Sequence, residues 1–244
     1  MPSMSLERPD RPAVGGDVPA VSITAADVVA FVGRAALTIA RHEALLDRLD
    51  AALGDGDHGT NMTTGLQAVV RILADEAPAE GMARLDVGAL LRRIGHTLVA
   101  SVGGASGPLY GTLFIEAGFA LDGRHAVDLA TLACALDVGR AALARRGRCA
   151  VGDKTILDAL EPATRALLAG AAAGLPPDEA FVGAARAARA GVRATIPMVA
   201  RRGLALRLGE RSRGHRDPGA TSCFLLIRSM LDGRTSRRPL RGRR

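Results

Sequence analysis

The sequence predicts an all-α fold, an assembly of about eight antiparallel amphipathic helices in one domain. Three observations carry that expectation. Apolar residues recur at 3.6-residue spacing in segment after segment, whereas period-two alternation, the mark of a half-buried strand, is absent. The 244-residue chain is 48% hydrophobic but only 2% aromatic, with no Trp and one Tyr, so its core must be built from Ala, Leu, Val and Ile. Small aliphatic side chains suit closely approaching helices better than a sandwich of strands. Finally, dense Gly, Asp and Pro punctuation separates the apolar segments.

Taken in order, residues 1–22 are rich in Pro, Gly and charge, lack an apolar signal-peptide run and read as a flexible leader. Thr24 with Asp27 resembles an N-cap pair, Asp standing in for the usual Glu, ahead of a stripe through Val28, Phe31, Val32, Ala35, Ala36 and Ile39. Stripes follow at Leu66, Val69, Val70 and Leu73, at Leu90, Leu91, Ile94 and Leu98, and at Leu109, Leu113, Phe114 and Ala117. Later ones run through Leu129, Leu132, Leu136 and Leu143, through Ile156, Leu157, Leu160 and Leu167, and through Phe181, Ala184, Ala185 and Ala188. Phe224, Leu225, Ile227 and Met230 close the series, and Phe224–Ile227 is short enough to compete as a strand. The helical domain is expected over residues 23–232, with a disordered arginine-rich tail at 233–244.

The net charge of +7 belongs mostly to that tail, whose six Arg face no acid, leaving +1 on residues 1–232. A nearly neutral body argues against nucleic-acid binding. Three scattered cysteines without CxxC spacing argue against a disulfide framework or a zinc site and suit a reducing cytoplasm. No apolar run reaches membrane-spanning length, so no membrane is expected. Among 31 Arg stands one Lys, Lys154, which reads as structural with Asp153 and Asp158 as ion-pair partners.

Three connections are denser in Gly, Asp and small hydroxyls than a plain loop requires: residues 50–61, 101–111 and 214–222. The first places Asp50, Asp55 and Asp57 within eight residues, interleaved with Gly54, Gly56 and Gly59. A solvated turn is the commoner use of Asp-Gly pairs. Three carboxylates that would repel one another, flanked by His58, Thr60 and Asn61, favour an oxygen-ligated Mg²⁺ or Ca²⁺ instead. An EF-hand does not fit, because the twelfth position from Asp55 is Leu66 and not Glu. His58 reads either as a general base or as a group that orients a phosphate or carboxylate.

The second connection, from Ser101 to Gly111, has the glycines that let backbone amides approach an anion, with Pro108 suited to the first turn of a helix. A flexible Gly-Ser linker explains it equally well when taken alone. It is neither a P-loop nor a dinucleotide fingerprint. The third, from Gly214 to Ser222, is a turn around Asp217-Pro218-Gly219, with Thr221 or Ser222 as the candidate cap of the last helix. An acidic metal loop, a glycine-rich anion loop and no Ser/His/Asp or Cys/His triad together point to phosphoryl transfer.

The segments LDAALGDGDHGTNM, SVGGASGPLYGT, GDKTILDAL and GERSRGHRDPGATS, in that order, resemble the L-subunit (DhaL, or DAK2-domain) family of dihydroxyacetone kinases over roughly residues 24–231. The resemblance implies a barrel of eight antiparallel helices with a nucleotide at one end. It places Asp50, Asp55 and Asp57 on the magnesium-binding aspartates and His58, Gly59, Thr60 and Asn61 on a nucleotide-contacting turn. It puts Ala105 and Ser106 on the phosphate-side loop, Gly147 and Ile156 along the nucleotide pocket, and Asp217, Pro218 and Gly219 on the closing turn. No separate catalytic residue is implied. Leu204 stands where the family can place a nucleotide-contacting Arg, with Arg202 and Arg207 as nearby substitutes. The implied cofactors are Mg²⁺ and ADP (or ATP). The implied partners are a K-type subunit that holds dihydroxyacetone and an M-type subunit that recharges the nucleotide from phosphoenolpyruvate. Direct use of ATP, another keto-sugar or a fatty acid as acceptor, and a non-catalytic regulatory module are the alternatives.

Overall fold

The protein is described by a computed structural model covering residues 22–76 and 86–231. The expected leader, apart from Ser22, and the expected arginine-rich tail lie outside these residues. The chain is all-α in its described part. Helices α1 (Ala25–Ala51), α2 (His58–Glu76), α3 (Val87–Ser101) and α4 (Ser106–Ala120) are followed by α5 (Leu129–Gly147), α6 (Leu157–Ala172), α7 (Pro177–Ala194) and α8 (Pro218–Ser229). Ahead of α8, Leu204–Ser212 forms 3-10 turns broken at Gly209. Sequence periodicity anticipated neither these turns nor a pair of two-residue strands, β1 (Ile23–Thr24) and β2 (Ala126–Val127), antiparallel with Ile23 opposite Val127. Two residues are too few for an alternation to register.

Each helix packs on the next in sequence, and α8 returns to pack on α1, so the series of neighbours closes on itself. The apolar stripes supply the interior: Ile39, Leu46, Met62, Ile94, Leu98, Leu121 and Leu143 are fully buried. Val70 is an exception, lying at 37% exposure on the outer face of α2. The start of α1 is fixed as its sequence suggests, since the Asp27 carboxylate accepts from the Thr24 amide at 3.0 Å and hydroxyl at 2.8 Å. At the other end of the chain Phe224–Ile227 is helical, within α8, as its apolar stripe predicts, while the expected cap is corrected. The cap of that helix is Asp217, which accepts from the Ala220 amide at 2.6 Å, while Thr221 and Ser222 fall inside the helix and turn their hydroxyls back to the Asp217 and Gly219 carbonyls.

Small residues set the helix spacing. A Cβ on Gly95 would stand 2.7 Å from the Gly111 carbonyl oxygen of α4, and one on Gly191 would overlap the Asp158 carbonyl of α6. Backbone cannot yield as a flexible side chain can. Gly191→Ala is therefore expected to destabilise the fold by about 2 kcal/mol, the usual cost of overpacking a tight contact. Urea denaturation checks this, and a variant within about 0.5 kcal/mol of wild type, the range of neutral surface changes, would mean that α7 can shift away freely.

This alternation decides where the site lies. The connections after α1, α3 and α5, together with the leg from Thr195 to Asp217 after α7, all contribute to one pocket. Odd helices end there and even helices begin there, so helix N-termini, with their positive dipole ends, gather around one cavity.

Candidate functional site

The pocket has a volume of about 350 Å³, within the range of small-molecule sites, and is open to solvent on one side. Its acidic wall is the turn between α1 and α2. Asp50, in the last turn of α1, accepts from the Gly56 and Asp57 amides through Oδ2 at 2.9 and 3.1 Å, which folds the loop back over the helix end. The fold-back needs Gly54, where a Cβ would come within 2.7 Å of Asp50 Oδ1. One oxygen from each of Asp50, Asp55 and Asp57 then lies within 4.8 Å of the others. The cost of this convergence appears on Asp50, whose carboxyl is raised above the usual carboxylate range by burial and, further, by neighbouring Asp55. A divalent ion would reverse that balance, and an all-carboxylate oxygen set suits Mg²⁺ or Ca²⁺.

Opposite lies the loop between α3 and α4. Gly103 sits against the Asn61 side chain, where a Cβ would meet Asn61 Oδ1 at 2.7 Å, so the glycine brings the two loops together. Gly104 holds a φ of +63°, the left-handed conformation that favours glycine. Ala105 and Ser106 follow on the pocket wall.

His58 joins the two loops to α8. Burial pushes its imidazole down to about 4, so the ring is neutral at neutral pH. Ser222 Oγ donates to the Gly219 carbonyl at 3.0 Å and is approached by Tyr110 Oη at 2.8 Å and His58 Nε2 at 2.9 Å. With the Ser222 proton so used, Tyr110 and the Nε2–H of His58 both donate to Ser222. His58 Nδ1 then accepts from the Ser106 hydroxyl at 3.1 Å. A buried chain Tyr110–Ser222–His58–Ser106 thus sets the orientation of Ser106 from behind.

Of the residues singled out from sequence, Asp50, Asp55, Asp57, His58, Asn61, Ala105, Ser106, Gly147, Ile156, Asp217, Pro218 and Gly219 line this one pocket. Gly59 and Thr60 are not among the lining residues. Gly59 lies flush against the Glu43 carbonyl of α1, and Thr60 bonds Asp47 through its amide at 3.0 Å and its hydroxyl at 2.9 Å. They pin the start of α2 to α1, which is a reason for a small residue and a hydroxyl at those places. Lys154 also lines the pocket, but its partners differ from those expected. Its Nζ donates to the Thr195 and His215 carbonyls at 2.6 and 2.5 Å. Asp158 instead accepts from the Gly152 and Thr155 amides, and Asp153 from the Ala150 amide. Leu204 stands exposed at the pocket edge, and of the two nearby arginines only Arg202 lines the cavity, held by the Arg148 and Arg201 carbonyls.

The buried pair His58 and Asp217 makes a pH prediction. Between about pH 4 and its ordinary 6.5, His58 binds fewer protons folded than unfolded, so its contribution to stability is lost as pH falls. Asp217, pushed up to about 7 chiefly by burial, does the opposite. Between the ordinary 3.8 and about 7 the folded chain keeps a proton the unfolded chain has released, so its penalty is relieved as pH falls. The two slopes oppose each other in the shared window. Asp217→Asn retains a capping side chain but removes one slope, and its denaturation midpoint should fall more steeply than that of wild type from pH 6.5 to 4. Parallel profiles would contradict this account.

The DAK2 domain signature matches residues 52–232. The chain belongs to the DAK2-domain family. This DAK2 domain is 37% identical over 210 residues to the ADP-binding subunit DhaL of the PEP-dependent dihydroxyacetone kinase of Escherichia coli K12, covering 86% of the present chain and 97% of that one. It is 38% identical over 187 residues to an ADP-binding DhaL subunit of Listeria innocua, covering 77% and 84% of the two chains. Its fold matches the dihydroxyacetone kinase of C. freundii in complex with AMP-PNP and Mg²⁺ with a TM-score of 0.67 at 26% identity. The match takes in 95% of the DAK2 chain but 38% of that longer kinase chain. Asp50 lies two residues ahead of the signature and reaches the site because α1 ends there. Among the described residues of this DAK2 domain, no helix is long and apolar enough to cross a membrane.

Proposed function

We propose that the chain is the nucleotide-binding subunit of a dihydroxyacetone kinase, passing a phosphoryl group from a magnesium-bound nucleotide to dihydroxyacetone held on a separate K-type subunit. The observation that carries this reading is the convergence of Asp50, Asp55 and Asp57 across one pocket from the glycine loop at 103–106. The donor set fits magnesium: three carboxylate oxygens within reach of one another, one of them ordered by two backbone amides. Bound there, a magnesium–nucleotide pair would supply phosphate charge neutralisation and a transferable phosphoryl group. The chain's own residues do the positioning that phosphoryl transfer demands. Asp50 orders the acidic turn, neutral His58 holds Ser106 on the pocket wall, and Gly103 keeps the two loops in contact. His58, with both ring nitrogens engaged and its basicity depressed, acts as an orienting group and not as a general base. Gly147, Ile156, Asp217, Pro218 and Gly219 form the remaining wall, with ADP as the resident nucleotide.

The finer assignment follows the relatives whose full length the chain nearly spans, which are ADP-binding subunits of PEP-dependent kinases. An M-type subunit would recharge ADP from phosphoenolpyruvate. The three cysteines are all free, in accord with a reducing cytoplasm. Native mass spectrometry of the purified chain should show ADP and Mg²⁺ retained together. Reconstitution with K- and M-type subunits should then give phosphoenolpyruvate-dependent phosphorylation of dihydroxyacetone. Turnover with free ATP but not with the M-type subunit would reassign the donor, and binding of neither nucleotide nor metal would end the proposal.

A further inference from the structure

The pocket interior is acidic, but its rim is not. Where α5 ends, Arg145, Arg146 and Arg148 are exposed, and the leg leading to α8 exposes six more arginines between Arg201 and Arg216. Against these nine arginines the two segments carry one acid, Glu210, which is paired with Arg213 at 3.0 Å. The other described residues hold 14 basic and 19 acidic side chains, so the positive charge of the folded body is concentrated at this one place. The two segments belong to one surface. Arg202 bonds the Arg148 carbonyl, and Arg146 and Arg202 both line the pocket mouth. The side chains of Arg145, Arg146, Arg207 and Arg211 form no hydrogen bond or ion pair with any described residue.

Unpaired arginines held beside one another repel, and structure alone gives no reason for collecting them. The rim also carries Val151, Leu204 and Leu206 at 46–56% exposure, interleaved with the arginines. Arginine is enriched in protein-binding surfaces, whose buried centres are more apolar than the rest of the surface, and exposed Val151, Leu204 and Leu206 give this rim such a centre. A single-strand nucleic-acid groove would instead offer several aromatic rings for base stacking, and residues 201–216 contain no Phe, Tyr or Trp.

We propose that this arginine-rich rim is the docking face for the protein that carries the phosphoryl acceptor, and that the partner meets it with an acidic surface. The proposal rests on the nucleotide-subunit reading above, under which the acceptor is presented at the pocket mouth by another protein. Rim charges act mainly on encounter rate and salt dependence.

The test is a triple charge reversal, Arg145→Glu with Arg207→Glu and Arg211→Glu, none of which lines the pocket. Affinity for a dihydroxyacetone-loaded K-type subunit is measured at low and high salt, and Mg-ADP affinity by calorimetry. The K-type affinity should fall about tenfold or more at low salt and lose most of its salt sensitivity, with Mg-ADP affinity unchanged. The milder Arg207→Gln with Arg211→Gln should give a smaller loss in the same direction, and carries the test should the reversal misfold. Unchanged K-type affinity overturns the proposal. So does a parallel loss of Mg-ADP binding, which would make the arginines nucleotide ligands, or a loss confined to the M-type subunit or to single-stranded RNA. Failure of the wild-type chain to bind Mg-ADP would instead sink the functional reading beneath it.

Discussion

Asp55→Asn is expected to lower phosphoryl transfer in the reconstituted kinase by about 100-fold or more, because a carboxylate ligand to a phosphate-bridging ion contributes several kcal/mol to the reaction. The same substitution should leave stability unchanged or slightly raised. Asp55 is exposed, so no packing is lost, and its charge is one of the causes that hold the Asp50 carboxyl above the usual range. Removing a neighbour that repels cannot weaken the folded state by that route. The prediction is thus a split: activity and magnesium-dependent ADP affinity fall together while the thermal midpoint holds or rises. Calorimetric titration of ADP with and without Mg²⁺ reads the first and a thermal melt the second. Asp50→Asn should behave differently, because Asp50 also accepts the Gly56 and Asp57 amides that fold the loop. It should lose both binding and stability. Near-wild-type turnover by Asp55→Asn would leave the three carboxylates as an ordinary acidic turn.

How much of this was legible beforehand depended on the distance over which each residue acts. The three aspartates could be read because their convergence is local: Asp50 closes a turn onto amides six and seven residues ahead. The helices could be read for the same reason, each stripe reporting its own buried face. The chain from Tyr110 through Ser222 to His58 could not, since it joins residues more than a hundred positions apart through a serine that reads as a candidate cap. The true cap, Asp217, was visible within a turn motif, but the competition among three oxygen-bearing residues was settled by Pro218 taking the first helical position. The partners of Lys154 left no trace in sequence at all. A carbonyl carries no residue identity, so a cation that bonds backbone invites the wrong guess that the nearest acids are its partners. The clustering of arginine at the rim was diluted in the same way, because segments 53 residues apart meet only through the fold.

Lys154→Met is expected to be strongly destabilising, at about 4 kcal/mol, because it removes a buried ammonium that donates to two backbone carbonyls. Lys154 is only 2% exposed, and its ammonium binds the Thr195 and His215 carbonyls, closing the leg from α7 to α8 onto the turn that precedes α6. Methionine fills much of the same volume and so isolates the loss of the donors from a loss of packing. The buried Thr195 carbonyl and the part-buried His215 carbonyl would each lose a charged partner, at up to about 1–3 kcal/mol for a group left unsatisfied. The Asp217 carboxyl, already pushed up to about 7, would also lose the neighbouring cation that lowers it. In a domain of this size the thermal midpoint should fall by roughly 10 °C. Because part of that cost lies on Asp217, adding Asp217→Asn to Lys154→Met should recover some of the lost stability, although Asp217→Asn alone removes a native carboxylate. That non-additivity distinguishes a buried charge balance from simple packing, which would give additive losses. Mg-ADP affinity should weaken in step, since the leg that Lys154 holds carries Arg202 to the pocket mouth. A Lys154→Met protein that melts with the wild type would show that the leg closes without it, held by the Arg201 amide on the Asp153 carbonyl and the Asp217 amide on Thr195 Oγ1.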